Sequence, residues 1–286
     1  MMATFFSNAR DFLTQTQAAL ETNEAANNLI LGLSLRVNHY LPPEQHPPYF
    51  AAITANDTLL LAAVMTPPRP LVLYAGQSDW QAPLNLFIRQ AALRQWPIAG
   101  VTGYPPLSEA FAAAWARLTR TSYRVQIRNR LYELRRVEPT PPTPGRLRLA
   151  TLADLELVAD WTFAFQTEAL HRGDSVEALE VTRYKIKDQD LYLWEDGQPV
   201  STASQSRPTR NGICLSLVYT PPEQRGRGYA TACVAGLSQL LLDFGCQFCV
   251  LFTDLANPTS NHIYQTIGYR PIADFTEYVF NTELHP

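Results

Sequence analysis

Four prolines in six residues, Pro139, Pro141, Pro142 and Pro144, closed by Gly145, interrupt this 286-residue chain near its middle. Each proline fixes φ and lacks an N–H, so Glu138–Gly145 excludes helix and central strand and reads as an extended, stiff connector. The expected division is a first domain over 1–140, a Pro-rich linker at 141–145 and a second domain over 146–286, each long enough to bury its own core. Charge follows the same split: the first 140 residues are basic by three and the remainder acidic by six. With 46% apolar and 17% charged residues, disorder is excluded as the main state. A net charge of −3 argues against a bulk nucleic-acid binder. Apolar runs such as Leu59 to Met65 fall far short of the about 20 residues a bilayer-spanning helix needs. The first twenty residues carry Arg10 and Asp11 and no continuous apolar stretch, unlike a secretory signal, so the expectation is a cytoplasmic protein without a membrane partner.

The second half has the sharper pattern. A short strand at 147–150 precedes a helix over 153–169 capped by Thr151, and a second helix covers 176–187. Strands at 191–194, 199–206 and 213–219, separated by Gly-containing turns, predict an antiparallel meander. A helix over 229–243 repeats Ala230, Cys233, Val234, Leu237 and Leu241 at helical spacing. A buried strand over 246–253, a short helix opened by Asn257 and Pro258 and ended by Gly268, and final strands over 269–280 complete the order. The first half reads as a faded copy. Helices at 8–20 and 25–37 precede strands at 49–54, 58–65 and 71–75, then helices at 83–96 and 107–119 and a strand at 123–134. Tyr49 and Leu71 are 22 residues apart, as are Leu191 and Ile213, which suggests internal duplication.

Cys246 and Cys249 have the spacing of a zinc or redox pair. On a strand, however, residues three apart face opposite ways, so the four cysteines read as reduced core thiols and no metal site is expected. The seven arginines from Arg117 to Arg136 put Arg124, Arg128 and Arg130 on one strand face, which reads as solvated.

The most informative segment is Val218-Tyr-Thr-Pro-Pro-Glu-Gln-Arg-Gly-Arg-Gly-Tyr-Ala-Thr231, a strand running through a glycine-rich turn into a helix. First-turn N–H groups lack intrahelical partners, and the helix dipole favours an anion there by roughly 0.3–1 kcal/mol. Gly226 and Gly228 remove Cβ atoms, and Arg225 and Arg227 add charge, so a pyrophosphate is the natural ligand. The plain alternative is a solvated turn whose glycines serve backbone shape alone. Neither a P-loop nor a Gly-x-Gly-x-x-Gly fingerprint is present.

Arg225-Gly-Arg-Gly-Tyr-Ala230 fits Arg/Gln-x-x-Gly-x-Gly/Ala, and with Asn257-Pro-Thr-Ser-Asn-His-Ile-Tyr-Gln-Thr-Ile-Gly-Tyr269 residues 146–286 resemble the GNAT superfamily of acyl-CoA-dependent N-acyltransferases. The resemblance implies an α/β (α+β) fold of two GNAT-like domains, each a mixed, mostly antiparallel sheet flanked by helices. It implies that main-chain amides of Arg225, Gly226, Arg227, Gly228, Tyr229, Ala230 and Thr231 bind the pyrophosphate of coenzyme A (CoA). Leu217, Val218 and Tyr219 would pair with the pantetheine arm and Asn257 would hydrogen-bond it; Asn261, three residues before Tyr264 and on the same helix face, is expected to bind the coenzyme as well. Tyr264 would be the general acid for the departing thiolate after direct amine attack.

Each has a plainer rival: Asn257 as helix cap, and Tyr264 as packed aromatic beside a buried face expected at Ile263 and Ile267. Glu168, His171 and Asp254 are candidate bases, with surface charge as the alternative for each. The implied reaction is acetyl transfer from acetyl-CoA to a primary amine on a small molecule or peptide; the competing reading is a CoA sensor or scaffold without turnover. The matching segment of the first half, Tyr74-Ala-Gly-Gln-Ser-Asp-Trp80, has one glycine and no arginine, so that half is expected to be degenerate and to lack a CoA site.

Overall fold

The structure, a computed structural model, describes residues 1–39, 47–76, 79–170 and 173–281. It divides into two compact units: Met1–Leu131 together with the C-terminal segment from Ile272, and Tyr132–Pro271.

In the first unit, β1 (Met2–Phe6) is followed by α1 (Ala9–Glu21) and α2 (Asn28–His39). Next come β2 (Tyr49–Ala55), β3 (Thr58–Met65), β4 (Leu71–Ala75), α3 (Gln81–Leu93), β5 (Gly100–Gly103), α4 (Pro105–Thr119) and β6 (Ser122–Leu134), which runs past the division. Strands β1 to β4 pair antiparallel in sequence order, and β5 joins β4 in parallel. Side chains from β2–β4 enter two cores. Ile53, Leu61, Ala63, Leu71 and Leu73 pack with Phe87 of α3 and Phe111 of α4, while Phe50, Ala52, Ala62, Val64 and Val72 pack with Phe12 of α1 and Leu31 of α2. Burial on both faces is why β3 reads as an unbroken apolar run instead of alternating.

The second unit repeats the order: β7 (Arg146–Leu149), α5 (Leu155–Leu170), α6 (Ser175–Lys187), β8 (Leu191–Asp196), β9 (Gln198–Ser206), β10 (Gly212–Tyr219), α7 (Tyr229–Asp243), β11 (Phe248–Asp254) and α8 (Pro258–Ile267). Strands β7 to β10 pair antiparallel and β11 joins β10 in parallel. The two halves therefore share one fold, a mixed, mostly antiparallel sheet with helices on both faces. Thr151 and Asp154 form a reciprocal cap before α5, and Arg148 holds the Asp154 carboxyl down at about 2.

Several boundaries differ from the sequence reading. β1 and β5 are additional strands; β5 is Gly-Val-Thr-Gly, four residues without an apolar period. A Cβ at Gly100 would lie 2.7 Å from Tyr278 O, so glycine admits the neighbouring backbone. That neighbour belongs to β12 (Arg270–Asn281), a single strand where several were expected. Residues Thr276–Val279 of β12 pair with β5, which assigns the chain's last strand to the first unit and not to the span 146–286. The proline-rich segment lies inside the second unit instead of bridging the two. Cys246 precedes β11, and all four cysteines are free thiols, with burial pushing Cys233 and Cys249 up to about 12.

Candidate functional site

The site is built where β10 ends. Its parallel register with β11 runs from Gly212↔Phe248 to Leu215↔Leu251, half of an eight-residue strand, and Leu217, Val218 and Tyr219 come after the last of these pairs. On the other side β10 stays with β9, through Tyr219↔Thr202, across a bulge that sets Leu217 at φ +51°. Beyond it, a single turn at Pro222–Gln224 delivers the chain to Arg225-Gly-Arg-Gly and α7.

Gly226 and Gly228 take φ of +76° and +81°, left-handed conformations that β-carbons disfavour. Gly228 is the N-cap of α7 and its first helical bond is from Ala232 N at 3.0 Å, so the N–H groups of Tyr229, Ala230 and Thr231 precede the ladder and face the helix entrance. A Cβ at Gly226 would meet no atom within 4 Å, so the entrance is open ground. These residues fit a diphosphate: main-chain donors and a helix dipole face open room, and the exposed Arg227, whose Nη1 donates to Gln224 Oε1 at 3.2 Å, adds positive charge in the same loop. Tyr229 itself is buried, and its hydroxyl donates to Asp196 Oδ2 at 2.6 Å, tying the start of α7 to β8.

Arg225 is turned toward α5. Its Nε donates to Thr220 O at 2.9 Å, its Nη2 pairs with Glu168 Oε2 at 2.7 Å, and its guanidinium lies 5.5 Å from the Tyr219 ring centroid. The Tyr219 hydroxyl donates to Glu168 Oε1 at 2.9 Å. Desolvation raises the Glu168 carboxyl, but the Arg225 and Tyr219 hydrogen bonds outweigh it and leave it below the usual carboxylate range. Glu168, expected as a base, thus has both oxygens engaged. Asp254 Oδ1 accepts from Ala256 N, and His171 lies outside the described residues.

Asn257 is the α8 N-cap, accepting from Ser260 N at 3.0 Å, with Pro258 at the first helical position. Asn261, expected at the coenzyme, is bonded inward: Nδ2 donates to Asp254 O (2.9 Å) and Asn257 O (2.7 Å), and Oδ1 accepts from the Tyr132 hydroxyl (2.9 Å). The buried face of α8 also differs from expectation. It is formed by Tyr264 and Ile267, three apart, and Ile263 is half-buried. Tyr264 packs with the rings of Tyr132 and Tyr269 at 6.5 and 6.0 Å, and burial pushes its phenol well above the ordinary value. Tyr132 and Asp196 were not legible as site supports, since their partners lie 129 and 33 residues away.

Residues 155–269 match the model of the acetyltransferase (GNAT) family. They are a GNAT acetyltransferase domain. The whole chain shares its fold with solved structures at low identity. An acetyltransferase of the GNAT family from Colwellia psychrerythraea matches at TM-score 0.61 and 12% identity, covering 98% of this chain and 100% of its own. A GCN5-related N-acetyltransferase from Sphaerobacter thermophilus matches at TM-score 0.62 and 15% identity, covering 96% and 94%. A tandem GNAT protein from the clavulanic acid biosynthesis pathway matches at TM-score 0.59 and 14% identity, covering 97% and 98%. No curated protein matches the chain in sequence. The N-terminal half is thus GNAT-like in fold as well. Among the described residues no helix is long and apolar enough to cross a membrane.

Proposed function

We propose that the second half transfers an acetyl group from acetyl-CoA to a primary amine on a small molecule or peptide, by direct attack on the thioester. The observation that carries the reading is the entrance of α7: two left-handed glycines and three N–H groups ahead of the helical ladder, immediately beyond the end of the β10/β11 pairing. Bound there, the coenzyme supplies an activated acyl thioester. The main chain of Arg225–Thr231 holds its diphosphate, and Leu217–Tyr219 offer backbone groups to its pantetheine arm. Asn257, already capping α8, keeps its amide N–H groups for the same arm.

Tyr264 is the general acid. Its raised pKa keeps the phenol protonated, the state from which a proton donor acts. The amine nitrogen forms the new C–N bond as the C–S bond breaks, the sulfur takes the Tyr264 proton, and the proton the nitrogen sheds on becoming an amide restores the phenol. With the Glu168 carboxyl held low by Arg225 and Tyr219, water accepts the proton of the incoming ammonium. The buried, unactivated thiols suit a path without a covalent enzyme intermediate.

The test is thiol release from acetyl-CoA over an amine panel with wild type and Tyr264→Phe. Amine-dependent release in wild type, with kcat reduced about 100-fold or more in the variant, is the expected result. Tight CoA binding without amine-dependent release would replace the reading with a coenzyme sensor.

A further inference from the structure

The prolines that divide the sequence lead to the loop on which the proposed function rests. Segment 138–145 is pinned at both ends: Glu138 N donates to Ile267 O at 2.8 Å, and Trp194 Nε1 donates to Pro144 O at 2.8 Å. At Gly145, φ is +108° and a Cβ would come within 2.5 Å of Glu195 O, so glycine lets the strap lie flat against β8. Between these anchors the half-buried Thr143 turns its hydroxyl edge toward Gly228. The position a Gly228 Cβ would take lies 3.0 Å from Thr143 Oγ1 and 3.9 Å from Cγ2. Gly228 has no side chain to cap the first turn of α7. The Thr143 hydroxyl donates to Pro141 O at 3.3 Å, a long bond that a charged oxygen displaces.

We infer that Thr143 is a coenzyme contact supplied from outside the glycine-rich motif, its hydroxyl donating to a phosphate oxygen of a diphosphate held at the entrance of α7. This rests on the reading of that entrance as the coenzyme site. The prolines restrict the strap before the ligand arrives, so little ordering entropy opposes the contact.

Isothermal titration of the whole chain with CoA, and separately with pantetheine, which lacks the diphosphate, tests the inference in wild type, Thr143→Val and Thr143→Ser. Valine keeps the shape and removes the hydroxyl, so the Kd for CoA rises at least about fivefold, while serine stays within about twofold of wild type. Pantetheine affinity is unchanged in all three. A Kd for CoA in Thr143→Val within twofold of wild type overturns the inference, as does a serine variant as weak as valine. An equal loss of pantetheine affinity overturns it too, because that marks a displaced strap. A wild type that binds pantetheine and CoA equally, or neither, overturns the reading of the site and the inference with it.

Discussion

Glu168 is a carboxylate whose surroundings decide between two roles. Each Glu168 oxygen already accepts a hydrogen bond, from Tyr219 and from Arg225, and these favour the ionised form and make the carboxylate a weaker base. Glu168→Gln is therefore expected to lower kcat less than about threefold, where loss of a true general base costs on the order of 100-fold or more. The measurement is a steady-state comparison at saturating acetyl-CoA, and a 100-fold loss would return Glu168 to the chemistry. The pair is half-exposed, so its stabilising effect is small, about 0.2–1 kcal/mol. With its carboxyl held low, that contribution is complete above the ordinary carboxylate range and is lost as pH falls below it. Tyr264 illustrates the opposite case: burial among aromatic rings keeps its proton on.

At the scale of elements, the β10–loop–α7 unit depends on two glycines for different reasons. Both have positive φ, and a β-carbon there costs roughly 1–2 kcal/mol. At Gly226 the added carbon enters open space, while at Gly228 it meets Thr143 Oγ1 at 3.0 Å. Gly228→Ala should then lower both the thermal midpoint and CoA affinity more than Gly226→Ala does. Equal losses would mean the strap gives way without consequence. The strand, the loop and the helix were each legible from period and glycine placement, because those are local properties. The buried face of α8 was not, since Ile263 and Tyr264 are adjacent in sequence and packing against Tyr132 and Tyr269 selects between them.

For the whole molecule, two units of one fold do not imply two sites. After β4, the first half has Gly76 where a Cβ would lie 3.0 Å from Leu59 O and 3.1 Å from the Tyr74 hydroxyl, closed ground compared with Gly226. α3 opens from Trp80 without a side-chain cap, and Gln77 and Ser78 lie outside the described residues. Titration should accordingly give one CoA per chain. Two would show that the first unit binds coenzyme without the arginine–glycine motif.

Local sequence determined the repeated order of helices and strands, the meanders with their equal 22-residue span, and the glycine-rich turn at Arg225–Thr231, because propensity, period and glycine placement act over a few residues. Tertiary structure alone decided the rest. It gave the last strand to the first unit, laid the proline segment against β8, committed Asn261 to Tyr132, and turned Arg225 to Glu168. Each of these joins groups far apart in the chain, and such pairings depend on burial and backbone approach in three dimensions, which no local pattern encodes.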